Sequence, residues 1–464
     1  MYEFIEYVLS ELQTSFTLVL LAGMAGLMVL GAVWLAFRKK GRTLPWGKAV
    51  LWLIFAGYGA IVMYATILRG VGGYRDWNLH LFRAWREAWN NFSAKNWANV
   101  LLNVAMFIPL GGLLPLMGKK FRKWYLTIPA GFAVSLAIEL LQLAIGRGIC
   151  DVDDLFCNTL GATIGYFGVM AVLSLVGKKL KSILAYGGLA LVTVMAICSI
   201  FIVYEVKEYG NLPGAAAYTN DTRNTSWILA CELPVVEAEL PVYRTQTRSL
   251  ADCDAFAEEF RHIIGTEYST ISYYQEAAYY MDQFGDENGA HFLFVHYLDP
   301  GYEYSGSWDH DPVWVAADRE TITTALSHFP VFIPEYADFT VEENGWHSFT
   351  VEQHIDGANL VDGVLRCRYA EDGLIWELEN HLLSYTYYDT ESVISPAEAY
   401  ARLCAGAFYD GGFFEAKAPT DVRVQSCTLG YEIDTKGFYQ PVYFFDAESP
   451  DGSYLDRIMI PAMQ

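Results

Sequence analysis

The feature that most constrains this chain is a series of long apolar runs within residues 1–204. Each run is about 18 to 22 residues long, and a helix of that length crosses a hydrocarbon core of about 30 Å. Because lipid cannot hydrogen-bond to the backbone, such segments are expected to be helical. The sequence therefore predicts a polytopic α-helical membrane bundle of about six spans. We place the spans at residues 16–37, 48–68, 99–117, 124–145, 155–176 and 183–204.

The rest of the chain has a different composition. Residues 1–204 carry 18 Lys and Arg against 9 Asp and Glu, whereas residues 205–464 carry 13 against 44. A basic, apolar segment followed by an acidic segment of mixed polarity indicates a membrane domain joined to a soluble domain. We assign residues 1–204 to the membrane domain, 205–227 to a linker and 228–464 to the soluble domain, which is long enough for two subdomains. The strong acidity argues against a nucleic-acid partner.

Three links between the predicted spans are basic, and each follows an odd-numbered span. The links 38–42, 119–123 and 178–181, together with Lys48, hold 12 of the 18 positive charges of the first 204 residues. Because cytoplasmic loops are enriched in Lys and Arg, we expect these links to face the cytoplasm of a bacterial cell. Both termini and the soluble domain would then be extracytoplasmic. The five basic residues of the outer loop 69–98 weigh against this orientation.

Polar side chains interrupt the third, fourth and fifth spans near their predicted outer ends. Glu139 and Gln142 are three residues apart, and Asp154 and Asn158 are four apart, so each pair shares a helix face. Ionisable groups within hydrocarbon are costly and therefore indicate a function. We expect these side chains to form one polar pocket at the outer leaflet. The candidate catalytic residues are Glu139, Arg147, Asp151 and Asp154, and the candidate binding residues are Arg69, Asn103, Gln142 and Asn158.

Several of these positions also have a purely structural explanation. Asp153 or Asp154 could cap the fifth helix, because carboxylates accept hydrogen bonds from free backbone N–H groups at a helix start. The amide side chains could join helices without any chemistry, and Gly161 and Gly165 form a small-xxx-small pair that is typical of close helix packing. Glu139 fits a structural explanation least well, since a carboxylate in hydrocarbon has to pair, stay protonated or face water.

The nearest positive partner of Glu139 in the sequence is Arg147, so a structural ion pair is the alternative to a functional role. A divalent cation held by Asp151, Asp153 and Glu139 is chemically possible, because carboxylate oxygens suit Mg²⁺ or Ca²⁺. The spacing matches no familiar metal loop. We therefore predict no metal and no cofactor.

The polar pattern as a whole resembles the VanZ-like family of bacterial membrane proteins. It consists of Asn103 and Phe107-x-Pro109-x-Gly111, then Glu139-x-x-Gln142, then Gly146-Arg147, Asp151-x-Asp153-Asp154 and Asn158-x-x-Gly161-x-x-x-Gly165. The resemblance covers the chain to about residue 200 and implies a cell-envelope protein associated with resistance to glycopeptide antibiotics, notably teicoplanin. Members often carry Asn-Leu-x-Pro-Phe in the preceding outer loop, where this chain has Leu81 in place of the proline.

The soluble half is predicted to have an α+β fold with an antiparallel sheet. Helix signals occur at Ser249–Ile264, after Asp318, and from Ser395, where Ser-Pro-Ala-Glu should open a helix that stops near residues 411–412. Strands rich in Tyr, Phe, Val and Trp lie between turns such as Asp372-Gly373. The end of the chain, from Ser395, resembles the PepSY-like and YycI-like extracytoplasmic regulatory domains.

Two functions from different classes are compatible with these observations. The first is a cell-envelope protein whose outer-leaflet pocket binds or acts on a membrane lipid, a lipid-linked cell-wall molecule or a lipophilic glycopeptide. In it Glu139 would exchange a proton, Arg147 would hold an anion, and Asp151 and Asp154 would be secondary acids. The second is a non-enzymatic sensor whose acidic outer domain binds a protein partner. A transporter is a third option, although no inverted repeat supports alternating access.

Overall fold

The computed structural model describes residues 45–68, 74–274, 277–282, 291–306, 312–342, 344–409, 421–448 and 454–463. It divides into two compact units, Met1–Glu208 and Tyr209–Gln464, which we call the N-terminal and C-terminal units. The predicted span 16–37 and the candidate residue Arg69 lie outside the described residues.

Within the described part of the N-terminal unit, five helices are long and apolar enough to cross a membrane. They confirm five of the predicted spans, although the third starts at Ala94, five residues earlier than predicted. A short helix precedes the third span, and a π-helical turn, Tyr64–Leu68, continues the helix before it. In chain order the helices are α1 (Trp46–Met63), α2 (Arg83–Asn91), α3 (Ala94–Met117), α4 (Trp124–Ile145), α5 (Val152–Val176) and α6 (Leu180–Val206).

Helices α3 and α5 pack closely because glycines leave room for the facing backbone. A Cβ atom at Gly161 would lie 1.9 Å from the carbonyl oxygen of Val104, and one at Gly165 would lie 1.9 Å from that of Ile108. Gly111 makes the reciprocal close approach from α3 to α5. The predicted small-xxx-small contact is therefore confirmed, and it fixes two of the three helices that carry the polar residues.

A short parallel pair of strands joins the segment before α2 to the start of α5. Strand β1 (Tyr74–Asn78) pairs with β2 (Arg147–Asp151), so that Asn78 lies opposite Asp151. Asp151 is also the N-cap of α5, and its side chain accepts a hydrogen bond from the backbone N of Asp153 at 2.8 Å. The prediction that Asp153 or Asp154 caps this helix is wrong, because both lie inside its first turn and face other elements.

The described part of the C-terminal unit contains a mainly antiparallel sheet of 14 strands, and this antiparallel sheet confirms the predicted fold class. The central order is β3-β14-β15-β4-β13-β11-β12-β8-β7-β6-β5, with β10 added to β11, β9 to β10 and β16 to β15. The pair of β3 and β14 is parallel. The strands are β3 (Ser226–Leu229), β4 (Glu239–Arg244), β5 (Tyr268–Tyr273), β6 (Ala277–Asp282), β7 (Phe292–His296), β8 (Tyr302–Ser305), β9 (Asp338–Val341), β10 (Trp346–Asp356), β11 (Asn359–Tyr369), β12 (Ile375–Asn380), β13 (Leu383–Ser392), β14 (Asp421–Ile433), β15 (Phe438–Glu448) and β16 (Tyr454–Pro461).

Three helices of this unit begin at the predicted caps within the described ranges. They are α7 (Leu250–Ile264), α8 (Arg319–Leu326) and α9 (Pro396–Cys404), and their N-caps are Ser249, Asp318 and Ser395. Helix α9 ends about two turns before the predicted stop, because Gly406 takes a left-handed conformation (φ 83°) there.

Several hydrophobic clusters support the sheet, and the two largest among the described residues lie under helices. The larger core lies under α7 and α8 and includes Phe260, Tyr302 and Phe349, all of which are fully buried. The other lies under α9 and includes Leu403 and Phe445. The C-terminal unit therefore has an apolar core at each helix-covered part of its sheet.

The segment predicted as a linker is tied to the sheet over much of its length. The N–H of Gly210 donates to the carboxylate of Asp434 at 2.6 Å, and Asn220 donates to the carbonyl of Phe408 at 2.8 Å. Asp434 is fully buried in the turn between β14 and β15. Its carboxylate also accepts from the backbone of Lys436 and Phe438 and from the Gln440 side chain.

Candidate functional site

Glu139 lies on the inner face of α4 and is 2% exposed. Its Oε2 accepts a hydrogen bond from the backbone N of Asp151 at 3.1 Å. This hydrogen bond joins α4 to strand β2, which directly precedes α5. The carboxylate is therefore held in place by the backbone of the loop between α4 and α5.

The register between α4 and α5 brings a second acid beside it. Asn158 of α5 donates to the Ser135 hydroxyl of α4 at 2.9 Å. Glu139 lies one turn after Ser135, and Asp154 lies one turn before Asn158. Since consecutive spans run antiparallel, Glu139 and Asp154 lie one turn further along on the facing sides of the two helices.

Helix α3 completes the cluster from a third direction. The Asn103 amide donates to Oδ1 of Asp154 at 2.5 Å. The structure thus places Asn103, Glu139 and Asp154 together, although they are far apart in the chain. We call these three residues, with Asp151 and Asn158, the acid cluster.

Asn78 is a member of the site that the sequence interpretation missed. It is 6% exposed, and its amide donates to both carboxylate oxygens of Asp151 at 3.1 Å. The signal available in the sequence was the retained Asn-Leu pair of the family loop motif, whose following Pro is replaced by Leu81. The loop keeps this contact without the proline.

Asp153 holds the segment at the start of α2 against the start of α5. It is fully buried and accepts hydrogen bonds from the backbone N of Phe82 at 2.5 Å and of Ala84 at 2.7 Å. Its contacts are therefore those of a structural anchor for the start of α2. The same loop carries exposed apolar side chains, with Trp77 66% and Leu79 74% exposed.

Gln142 connects α4 to the turn that ends α1. Its amide donates to the carbonyl of Thr66 at 2.8 Å. Its Oε1 and the Oδ1 of Asn158 are both buried and have no hydrogen-bond partner among the residues described. Two acceptor oxygens thus remain unsatisfied on either side of Glu139.

Comparison with known proteins covers the same part of the chain. Residues 46–174 match the VanZ/LLP1 family model. No curated protein and no solved structure matches the chain. The matched segment, which we call the VanZ/LLP1 segment, contains every residue of the acid cluster together with Asn78, and with its span-like helices it fits a membrane protein.

Two predicted residues of the site are not placed by the geometry. The backbone of Arg147 pairs with Tyr74, but its side chain lies outside the description, as does the whole of Arg69. In the described ranges, no group of three His, Cys, Asp or Glu side chains is arranged to hold a metal ion.

The acid cluster occupies one end of the VanZ/LLP1 segment. It lies near the first turns of α3, the last turns of α4 and the start of α5. The basic links 118–123 and 177–179 join the opposite ends of these helices and of α6. The polar residues and the basic links are therefore separated along the helix axes.

The C-terminal unit has a polar cluster of its own, around His296 at the end of β7. Its ring nitrogens lie 3.6 Å from Asp299 and 3.7 Å from Glu303, and His381 lies 3.4 Å from the same Glu303. Burial acts to lower the pKa of His296, but the two carboxylates raise it to about 9. The two imidazoles in turn lower the pKa of Glu303. His296, Asp299 and Glu303 are therefore charged at neutral pH.

Proposed function

We propose that this protein uses the acid cluster, at the outer leaflet of a bacterial membrane, to bind or act on a lipid-linked or lipophilic molecule, and so contributes to resistance to teicoplanin-type glycopeptides. The observation that carries the proposal is the convergence of Asn103, Glu139 and Asp154 from three helices that are apolar enough to span a membrane. The match of residues 46–174 to the VanZ/LLP1 family supports it.

The physical argument rests on what an acid pair costs inside a bundle. A carboxylate within hydrocarbon is unfavourable by about 2.5 kcal/mol or more, and two adjacent acids also repel each other. Packing alone does not require them, since apolar side chains would fill the same space at lower cost. We therefore assign proton exchange to Glu139, secondary acid roles to Asp151 and Asp154, and ligand contacts to Gln142 and Asn158. Arg69 and Arg147 are proposed as anion contacts.

The proposed orientation places the basic links in the cytoplasm and both termini outside. It follows from the positive charge of the links 118–123 and 177–179, which are at the end opposite the acid cluster. Reporter fusions after residue 120 and after residue 208 test it. A reporter active only in the cytoplasm should work at the first position, and one active only outside should work at the second.

Drug susceptibility tests the proposed role of the cluster. A host would express the intact chain, Glu139→Gln, or residues 1–204 at matched membrane levels, with teicoplanin and vancomycin compared. We expect the intact chain to protect against teicoplanin and Glu139→Gln to fail. Glu87→Gln is the matched control, because Glu87 pairs with Arg83 on α2 outside the cluster. Equal protection by Glu139→Gln and the intact chain would contradict the proposal.

A second candidate function is a sensor whose C-terminal unit binds a protein partner. It is favoured by the size and separate cores of that unit, and the resemblance of its end to PepSY-like and YycI-like domains fits the same role. Under this alternative, deletion of residues 228–464 should abolish the phenotype, and Glu139→Gln should leave it intact. The same set of strains therefore separates the two functions.

A further inference from the structure

The acid cluster has more hydrogen-bond acceptors than its surroundings satisfy. Asn158 is 2% exposed, and its Oδ1 has no partner in the described part of the chain. The buried Oε1 of Gln142 is likewise unpartnered within that part. A buried acceptor without a donor is unfavourable, so each such atom needs an explanation.

Both unsatisfied oxygens lie about one helical turn from the acid pair. Gln142 follows Glu139 by three residues on α4, and Asn158 follows Asp154 by four on α5, so each shares a face with its acid. The Nδ2 of Asn158 is already used by Ser135, and the Nε2 of Gln142 by the carbonyl of Thr66. The atoms that remain are acceptors, and the neighbouring acids add negative charge when they are ionised.

A ligand that matches this arrangement must bring positive charge and several donors, and it needs no acceptor. A primary ammonium group has three donors and no acceptor. A divalent metal ion fits less well, since no three acidic, His or Cys side chains of the described chain converge to hold one. The chemistry of the cluster therefore favours an amine over a metal.

The location of the cluster indicates where the amine would come from. Apart from Asp151, which ends β2, its residues lie on helices apolar enough to be membrane spans, within about three turns of the helix ends. Strand β1, which holds Asn78 against Asp151, also carries the exposed Trp77, and Leu79 follows it. An indole and a leucine that project from a membrane protein at this level suit the headgroup interface. A ligand with acyl chains could reach the cluster from the lipid.

We infer that the acid cluster, together with Gln142, binds the protonated primary amine of a lipid head group, with Glu139 and Asp154 as the carboxylate acceptors and Asn158 and Gln142 as the amide acceptors. This inference rests on the proposed function, since it names the chemical class of ligand at the same site. In this inference the cluster recognises both the N–H donors and the positive charge of the amine.

Native mass spectrometry of the intact chain in detergent tests the inference with defined lipids. The probes are dioleoyl phosphatidylethanolamine, dioleoyl phosphatidylcholine and dioleoyl phosphatidylglycerol. The choline head group keeps the positive charge but has no N–H donor. We expect the ethanolamine lipid to bind about tenfold more tightly than the choline lipid, because hydrogen bonds to charged acceptors are the strong ones. Equal binding of these two lipids would overturn the inference.

Variants show whether the preference belongs to the cluster. Glu139→Gln and Asp154→Asn should each remove the preference for ethanolamine, and Glu87→Gln should retain it. Because the lipid comparison uses the intact chain, it remains decisive even where a variant fails to fold. A preference that survives in both folded cluster variants would refute the assignment to this site.

Two further comparisons distinguish a lipid amine from a soluble amine, and a failure of this inference from a failure of the proposed function. Glycerophosphoethanolamine, which lacks acyl chains, should compete poorly; equal competition would reassign the site to a soluble amine. Ethanolamine selectivity without drug protection would support this inference and contradict the resistance proposal. Loss of protection in Glu139→Gln, with no amine selectivity in the intact chain, would contradict this inference and support the resistance proposal.

Discussion

Replacement of Asp434 by Ala should destabilise the C-terminal unit strongly. Its carboxylate accepts three buried hydrogen bonds, from the backbone of Gly210 and Phe438 and from the Gln440 side chain. Burial raises the pKa of Asp434, and these hydrogen bonds act to lower it, so the charge is held at some cost. Removal of the side chain relieves that cost but leaves the donors buried without an acceptor.

The magnitude follows from those donors. Each buried donor left unsatisfied costs about 1 to 3 kcal/mol, and the relief of the buried charge offsets part of the sum. We therefore expect Asp434→Ala to lower the free energy of unfolding by about 3 to 5 kcal/mol. With a urea m-value of about 2 to 3 kcal/mol/M, the unfolding midpoint should fall by about 1 to 2 M.

The assay is urea unfolding of the intact chain in detergent, followed by labelling of the buried thiol of Cys427. Cys427 lies in β14, the strand that ends just before Asp434, so its exposure reports on this part of the sheet. The matched control is Asp389→Ala, which removes an exposed carboxylate that accepts from the N–H of Thr390. Coincident midpoints for the two variants would refute the reasoning.

Three further predictions concern other parts of the chain. Gly161→Ala should disrupt the contact of α3 with α5 and lower the yield of folded protein in detergent. Gly168→Ala on the same helix is the control and should not lower the yield, because a Cβ atom there meets nothing within 4 Å. Equal yields of the two variants on size exclusion would contradict this. The pKa of His296 is raised on folding to about 9, so its contribution is complete below its unfolded value of about 6.5 and is lost as pH rises through about 9. The stability of the intact chain should therefore fall by about 2 to 3 kcal/mol over that window, and His296→Gln should flatten this pH dependence of the urea midpoint. Ser395→Ala should cost about 1 kcal/mol through loss of the cap on α9, and the same urea titration should show it.

Local sequence patterns were enough to predict most of the long helices of this protein. Five spans and the starts of α7, α8 and α9 followed from apolar run length and from Ser or Asp caps, because both signals act within one or two helical turns. The polar residues were placed at one end of the spans for the same reason, since a helix fixes the rise per residue. The candidate pairs on α4 and α5 needed no knowledge of any other element.

Contacts between distant segments decided what the local patterns left open. Asn78 meets Asp151 across 73 residues of chain, and that contact depends on the pairing of β1 with β2. Asp153 does not cap α5, because its carboxylate accepts a hydrogen bond from the backbone of Phe82 instead. Helix α9 ends where Gly406 packs against the backbone of Asn220.

The sequence by itself determined that the first part of the chain carries apolar spans with acids at one end, because run length and charge are written along the chain. Only the tertiary structure decided that Asn103, Glu139 and Asp154 meet, that Asn78 joins Asp151, and how the 14 strands are ordered. The physical reason is that such contacts depend on close packing between segments remote in sequence. Gly161 and Gly165, for example, have no side chain and so let the backbone of α3 pack directly against α5.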